Sequence, residues 1–494
     1  MITPVESVEQ VLIKENTRVI LLGLDFGSTT SSALVASASI SKSTAGSMVF
    51  SDVQIEYRCE PVLTPFLAQT ANKVLLINVS EITLLIDNWL KQSGVAVDAI
   101  FSGGSMITGL AAQADNTAAL KTVITQIVGE SVIATADDPC LESWLAFKGS
   151  CAALSRHHAE VPMLNVDIGG GTTNIALGVN GDVLQTGCYF IGARHFQFIA
   201  GSYQLTAMSS YGATLLEALN IHKQINETLT QDEIAKIMAF YVHTLEAIVL
   251  GNATFFDTEI AKKHSQVAIS LAANTKPNIT FSGGVGELIY KIAANEALPS
   301  TTFFGDFGID LALAIFKSPH LSAHLETCVP EHKGRATVMG LTLHSTELSG
   351  NTLYLPNQKH LPNPNCLPLH NLPIVAKLTT DNALQQWHSA FTLAANCPLG
   401  ACIQISASNT LQDIRALADQ IKHALRSSNH EPYRPLVILV DTNIGKTLGN
   451  YVCDWGQSKV NVMVIDEVAQ RDAQFVHIGR LHQGMIPVSF YGLH

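Results

Sequence analysis

Asp25-Phe26-Gly27-Ser28-Thr29-Thr30 closes a short apolar run with a carboxylate, then follows it with a glycine and three hydroxyls. Glycine lets backbone N–H groups converge on a concavity, and Ser and Thr hydroxyls add donors, so such a turn can cradle phosphate oxygens. A carboxylate at the end of the preceding strand can hold a hydrated Mg2+ beside them. The device recurs at Asp167-Ile168-Gly169-Gly170-Gly171-Thr172-Thr173-Asn174, where aligning Asp25 on Asp167 sets Gly27 on Gly169 and Thr30 on Thr172. Taken singly, either stretch is also a plain hairpin turn. Three consecutive glycines after an apolar run, however, suit the close approach of backbone to a ligand. Two opposed turns can grip the β- and γ-phosphates of a nucleotide from both sides. A third cluster, Ser282-Gly283-Gly284-Val285-Gly286-Glu287, would let a nucleoside lie against bare backbone. The candidate metal ligands are therefore Asp25 and Asp167. The candidate nucleotide contacts are Gly27, Ser28, Thr29, Thr30, Gly169, Gly170, Gly171, Thr172, Thr173, Gly283, Gly284, Gly286 and Glu287.

The elements that must carry these turns are legible as pattern. Val19–Asp25 and Ser31–Ala38 read as a β-hairpin around the first turn, and Met163–Asp167 and Ile175–Val179 as a second. Asn180-Gly181 marks a tight turn into a third strand, Asp182–Phe190. An internal repeat of this kind predicts two related domains facing each other. Between them Leu141–Gly149 reads as a connecting helix. Ile279–Phe281 reads as a strand entering the third turn, with a helix from Leu288. Arg335–Ser349 reads as a helix ended by Gly350. Leu355–Pro373 carries five prolines and reads as a linker or irregular crossing. Beyond it, strands at Ala401–Ala407, Leu436–Asp441 and Val460–Asp466 alternate with helices at Leu411–Leu425 and Gly445–Tyr451, a small parallel α/β module with two more strands within Val476–Phe490. The expected units are residues 1–160, 161–350 and 351–494.

Composition narrows the function classes. The chain has 494 residues, room for about three domains. Its net charge of −12 gives no global attraction to phosphodiester backbones or anionic lipids, so neither nucleic acid nor membrane is an expected partner. No apolar run approaches the ~20 residues of a membrane span, and the start of the chain does not read as a signal peptide. The nine cysteines are odd in number and form no C-x-x-C pair, which suits reduced thiols in a cytoplasmic protein. His157-His158, and Cys328 with His332, lack the partners a zinc site needs. Gly445-Lys446-Thr447 follows an apolar strand, but a phosphate-binding loop of the Walker type would need a glycine where Val440 stands. It reads as a helix start.

In kind and order, the three turns resemble those of the actin, Hsp70 and sugar-kinase ATPase superfamily. That resemblance implies an actin-like α/β fold of two related domains. It also implies a role for Glu142, in Leu141-Glu142-Ser143, as the acidic residue of the connecting helix that positions the attacking water; Glu142 and Asp167 are thus the candidate catalytic residues. A closer match covers about residues 20 to 490. Leu164–Ala176, Leu141–Ser143, Thr280–Glu287, Gly305-Asp306, Arg335–Leu353, Ile444–Leu448 and Val464–Val468 are similar to the ethanolamine ammonia-lyase reactivating factors. The C-terminal module, foreign to kinases and actin-like filaments, falls within this match. The sequence departs from the family at Thr108-Gly109, which is followed by Leu110 where the family often has glutamate, and over the poorly matched Ile40–Val62.

The resemblance implies a chaperone that uses ATP and Mg2+ to loosen inactivated ethanolamine ammonia-lyase, so that damaged cobalamin leaves and intact adenosylcobalamin enters. Adenosylcobalamin is then the cofactor of the client and not of this chain. The resemblance also implies a slow ATPase, allows a homodimer, and suggests association with an ethanolamine-utilisation microcompartment. The alternatives are a small-molecule kinase of the same superfamily or an actin-like structural protein.

Overall fold

The computed structural model describes residues 18–493 except 29, 43–47, 61, 68–75, 113, 129–131, 137, 272–274, 345, 350–352, 357–366, 368, 459, 480 and 482–484. Three sheets organise them. The first contains β1 (Arg18–Phe26), β2 (Thr30–Lys42), β3 (Met48–Arg58), β4 (Ile100–Ile107) and β5 (Val132–Ala136) in the order β3-β2-β1-β4-β5. The first three run antiparallel, while β4 and β5 run parallel to β1. The second contains β6 (Met163–Ile168), β7 (Thr173–Val179), β8 (Asp182–Tyr189), β9 (Ser265–Val267) and β10 (Asn278–Ser282) in the order β9-β8-β7-β6-β10. Here β8, β7 and β6 are antiparallel and β10 lies parallel to β6. The strands β3-β2-β1-β4 and β8-β7-β6-β10 therefore share one order and one set of directions. This is the duplicated α/β plan of the actin-like fold, and the repeated hairpin is its signature in the sequence.

Each sheet owns a core. Leu22, Leu24 and Phe26 of β1 pack against Ile82, Ile86 and Trp89 of α1 (Val79–Ser93). Asn78 caps α1 through the Glu81 N–H. In the second unit Leu164, Val166 and Ile168 share a cluster with Phe281 and Tyr241. Asn180 and Gly181 both take positive φ, the geometry that the sequence Asn-Gly calls for in a two-residue hairpin.

The connecting helix α2 (Pro139–Ser150) lies between these units. Asp138 caps it and Pro139 opens it, yet its sequence is not amphipathic: Cys140, Leu141, Ser143, Leu145, Ala146, Phe147 and Ser150 are all buried. It packs on β7 and β8 on one side and on α6 (Ala336–His344, below) on the other. Two glycines permit the helix crossing. A Cβ on Gly340 would sit 2.0 Å from the Leu145 carbonyl oxygen, and one on Gly149 2.0 Å from that of Ala336. Gly340→Ala is expected to cost about 3 kcal/mol, because backbone cannot move aside as a flexible side chain can. A denaturation midpoint equal to that of the wild type would contradict this crossing.

Helix α3 (Gln231–Val249) belongs to the second unit, and α4 (Gly283–Ala293) follows β10 directly. The helix expected from Leu288 thus begins five residues earlier, and the third glycine cluster forms its first turn instead of a loop before it. After α5 (Gly308–Lys317) comes α6, which covers the first sheet: Thr342 Oγ1 stands 2.1 Å from where a Cβ on Gly23 would be. The helix expected over Arg335–Ser349 is shorter than its apolar pattern suggests. It ends at His344, and β11 (Thr346–Leu348) pairs with the last strand of the chain.

The third sheet has the order β11-β17-β16-β12-β13-β14-β15, with β12 (Leu369–Thr379), β13 (Ala401–Ser406), β14 (Leu436–Val440), β15 (Val462–Ile465), β16 (Ala473–Ile478) and β17 (Pro487–Leu493). Strands β12 to β15 are parallel and buried, as expected of strands covered on both faces. Helices α7 (Leu384–Ala395), α8 (Leu411–Ser427) and α9 (Gly445–Val452) cover one face through Trp387, Leu417, Ile421 and Leu448. Two of these elements, β12 and α7, are absent from the sequence reading. The prolines masked β12, whose Pro373 sits at the strand's irregular pairing with β16 and β19-side neighbours are unaffected at Leu369 and Leu372 on β16. Of the stretch read as a linker, residues 357–366 and 368 lie outside the described residues. No helix among the described residues is long and apolar enough to cross a membrane.

Candidate functional site

The two glycine turns are the same structure. In the first, the Gly27 N–H donates to the Thr30 carbonyl at 2.9 Å; in the second, the Gly169 N–H donates to the Thr172 carbonyl at 2.9 Å. Asp25 pairs in register with Ser32, and Asp167 with Asn174, at the same distance from each turn. The turns also meet. Ser28, 6% exposed, has its Oγ 2.9 Å from where a Cβ on Gly171 would lie and 2.0 Å from one on Gly109, whose φ is +54°. Only glycine at 109 and 171 leaves room for the Ser28 hydroxyl between the two halves. Gly170 is held from behind: its carbonyl accepts the Arg194 N–H at 2.6 Å, and Gly169 accepts that of Ala193 at 3.1 Å.

The carboxylates sit side by side below these turns. Asp25 is pushed up to about 7, by burial first and by the neighbouring Asp167 charge second. Asp167 is pushed up to about 6 by burial, against the opposing hydrogen bonds of Ser282 and Thr337. The Ser282 hydroxyl donates to Asp167 Oδ1 at 2.6 Å. Ser282 is the residue before α4, where a hydroxyl would ordinarily cap the helix; none caps it, and the first-turn N–H groups stay available. The donor set fits Mg2+. Among the described residues no group of three or more His, Cys, Asp or Glu converges, and Mg2+ needs none: it keeps several waters and takes one or two carboxylates together with substrate phosphates.

Glu142 lies in the first turn of α2, at a cavity of about 20 Å3 that it lines with Thr108, Gly109, Asp138, Thr172, Cys188 and Gln266. That volume holds about one water, and the walls supply the polar partners a buried water requires. Glu142 and the second turn thus meet at a water-sized space, the juxtaposition expected of a residue that positions an attacking water.

The remaining expected contacts divide. Thr30, at the start of β2, is exposed. Thr172 lines the cavity, whereas the buried Thr173 donates its hydroxyl to the Ile191 carbonyl at 2.8 Å and faces inward. Thr29 lies outside the described residues. In the third cluster only Gly284 is open, with nothing within 4 Å of where a Cβ would be. Gly283 has φ +78° and abuts the Ile168 carbonyl at 2.5 Å; Gly286 abuts the Phe281 backbone at 2.9 Å. These two let α4 pack on β6 and β10, so a nucleoside would meet Gly284. Glu287 pairs with Lys291 at 2.9 Å, one turn along α4. The dismissed Gly445-Lys446-Thr447 is a helix start whose Gly445 N–H is taken by Asp466 at 2.9 Å.

Sequence reasoning missed Ser282, Thr337, Arg194, Gln266 and Asp138. Asp138-Pro139 carries a readable cap signal, an Asp before a proline at the first helical position. The others come from elements distant in the chain, and nothing local marks them.

Over residues 17–493 the sequence matches the family described as ethanolamine utilisation protein EutA. Two curated relatives are both named ethanolamine ammonia-lyase reactivase EutA. That of Salmonella typhimurium is 26% identical over 94% of this chain and 96% of its own length; that of Escherichia coli is 27% identical with the same coverage. Among solved structures, ethanolamine utilization protein EutJ from Carboxydothermus hydrogenoformans aligns at TM-score 0.30 and 14% identity, over 66% of this chain and 89% of that one.

Proposed function

The chain belongs to the family of ethanolamine utilisation protein EutA, and on that premise we propose that it is an ATP-dependent reactivase of ethanolamine ammonia-lyase. The observation that carries the nucleotide part is the pair of identical turns facing each other across Ser28 and Gly171, above two adjacent carboxylates. In this reading the turn N–H groups, with Ser28 and Thr172, hold the β- and γ-phosphates. Asp25 and Asp167 hold Mg2+, which supplies neutralisation of phosphate charge. Glu142 orients a water in the adjacent cavity and takes up its proton character as it attacks. Gly284, at the start of α4, lies against the nucleoside.

Three units, residues 1–160, 161–350 and 351–494, do the mechanical work. The turns belong to the first two, so the presence of a γ-phosphate biases how closely those halves approach. One of the two arrangements binds the inactivated lyase strongly, its damaged cobalamin leaves, and intact adenosylcobalamin enters. The client, not this chain, carries the cobalamin. The C-terminal module and the first unit are the surfaces available to the client. A place in or beside an ethanolamine-utilisation microcompartment follows from the same role.

The fate of the γ-phosphoryl group separates this reading from a small-molecule kinase. With labelled ATP and Mg2+, slow release of inorganic phosphate without any acceptor, accelerated by the lyase, is the expected result. Phosphate transfer to a metabolite, with ATP consumption dependent on it, would replace the reactivase with a kinase.

A further inference from the structure

The helix that carries Glu142 is held by the far end of the chain. Asp138 uses both carboxylate oxygens: Oδ1 accepts the Leu141 N–H at 2.9 Å and so caps α2, while Oδ2 accepts the Gly492 N–H of β17 at 2.6 Å. Gly492 can present that N–H because its φ is +70°, a conformation that side chains rarely adopt. Two further contacts join the same elements. Tyr491 packs against a cluster formed by Met106, Leu141, Leu145 and Leu341. The Arg471 guanidinium stands 5.1 Å from the centre of the Trp144 ring and 5.8 Å from that of Phe490. Arg471 is itself fixed to the parallel strands: its N–H donates to Gln404 Oε1 at 2.7 Å, and Gln404 Nε2 donates to its carbonyl at 2.9 Å. Asp138 also lines the cavity beside Glu142.

We infer that Asp138 is a positioning residue that couples the C-terminal module to the hydrolytic site: its carboxylate ties the start of α2 to β17, so that a shift of β17 moves Glu142 relative to the water cavity. A cap fixes the first turn of a helix, and Glu142 stands in that turn. Anything that draws β17 away, a docked client included, loosens the turn at one end only and leaves the phosphate turns, which lie on other elements, untouched. The inference rests on the ATPase reading above and names the route by which the module acts on it.

Asp138→Asn separates the two bonds. An asparagine keeps one oxygen for the Leu141 N–H but turns an amide N–H2 toward Gly492, where a donor is useless. Deleting residues 492–494 removes the other partner. Steady-state ATP hydrolysis, ADP titration calorimetry and amide hydrogen exchange are measured on the full-length wild type, on each variant, and on each combined with Glu142→Gln. Both variants are expected to lower kcat about tenfold, to hold ADP affinity within about twofold, and to speed exchange at residues 139–145. In the Glu142→Gln background neither is expected to lower kcat further, because both act through Glu142. Unchanged kcat, a parallel loss of ADP affinity, or a full additional loss in the Glu142→Gln background would each overturn the coupling. If the wild type binds ADP but hydrolyses nothing, the ATPase reading fails separately. Exchange then decides the tether: faster exchange in both variants retains it, and unchanged exchange overturns it.

Discussion

Asp167→Asn is expected to abolish nucleotide hydrolysis while stabilising the cation-free protein at about pH 8. Both effects have one cause. The folded protein holds Asp167 up to about 6, well above the ordinary 3.8, so folding favours its protonated form. Its contribution to stability is fully present below the unfolded value and is lost as pH rises through the folded one. Above that, the ionised carboxylate costs roughly 3 kcal/mol at one pKa unit per 1.36 kcal/mol. Asp25, pushed up to about 7, extends the same loss further toward neutrality. Asparagine removes the charge, keeps an oxygen for the Ser282 hydroxyl, and lets the Thr337 hydroxyl accept instead of donate. The wild type in chelator should therefore lose thermal stability, relative to the variant, between about pH 4 and pH 7. Adding Mg2+ with ADP should restore the wild type and leave the variant unmoved, because the cation stabilises only the ionised pair. A variant that is less stable at about pH 8, or that still hydrolyses ATP, would remove Asp167 from the cation site.

Glu142→Gln is expected to lower kcat about a hundredfold with ADP affinity unchanged within about twofold. Glutamine fits the same space at the 20 Å3 cavity and can hydrogen-bond the water, but it cannot take up its proton. The loss should therefore appear in turnover and not in binding, since the phosphate turns lie on β1–β2 and β6–β7 and not on α2. Single-turnover hydrolysis beside calorimetry separates the two. An equal fall in both quantities would mean that Glu142 shapes the nucleotide pocket instead of the attack.

The hairpins were legible because their chemistry is local. Apolar runs around Asp25 and Asp167, with glycine and hydroxyls between the strands, specify turn and strand together, and the repeat exposes the duplicated plan. The parallel strands of the C-terminal module were legible for a similar reason, since burial on both faces leaves unbroken apolar runs such as Leu436–Val440. What stayed hidden was non-local. The stretch Thr346–Leu348 continues an apolar helical pattern, and it becomes a strand only because β17, from the end of the chain, offers it an edge. Gly283 and Gly286 look like ligand contacts in the sequence. Their reason is the close packing of α4 against Ile168 and Phe281, which only the assembled second unit reveals. Likewise nothing near Asp167 announces that Ser282 and Thr337, from two later elements, will hold it.

The central claim is that this chain restores an inactivated lyase at the expense of ATP. Its most direct test is recovery of ethanolamine deamination after ethanolamine ammonia-lyase inactivated with cyanocobalamin is incubated with the full-length protein, ATP, Mg2+ and free adenosylcobalamin. The account predicts recovery that requires all four additions and is lost with Asp167→Asn. No recovery with every component present, by a protein shown in the same preparation to bind ADP, would contradict it.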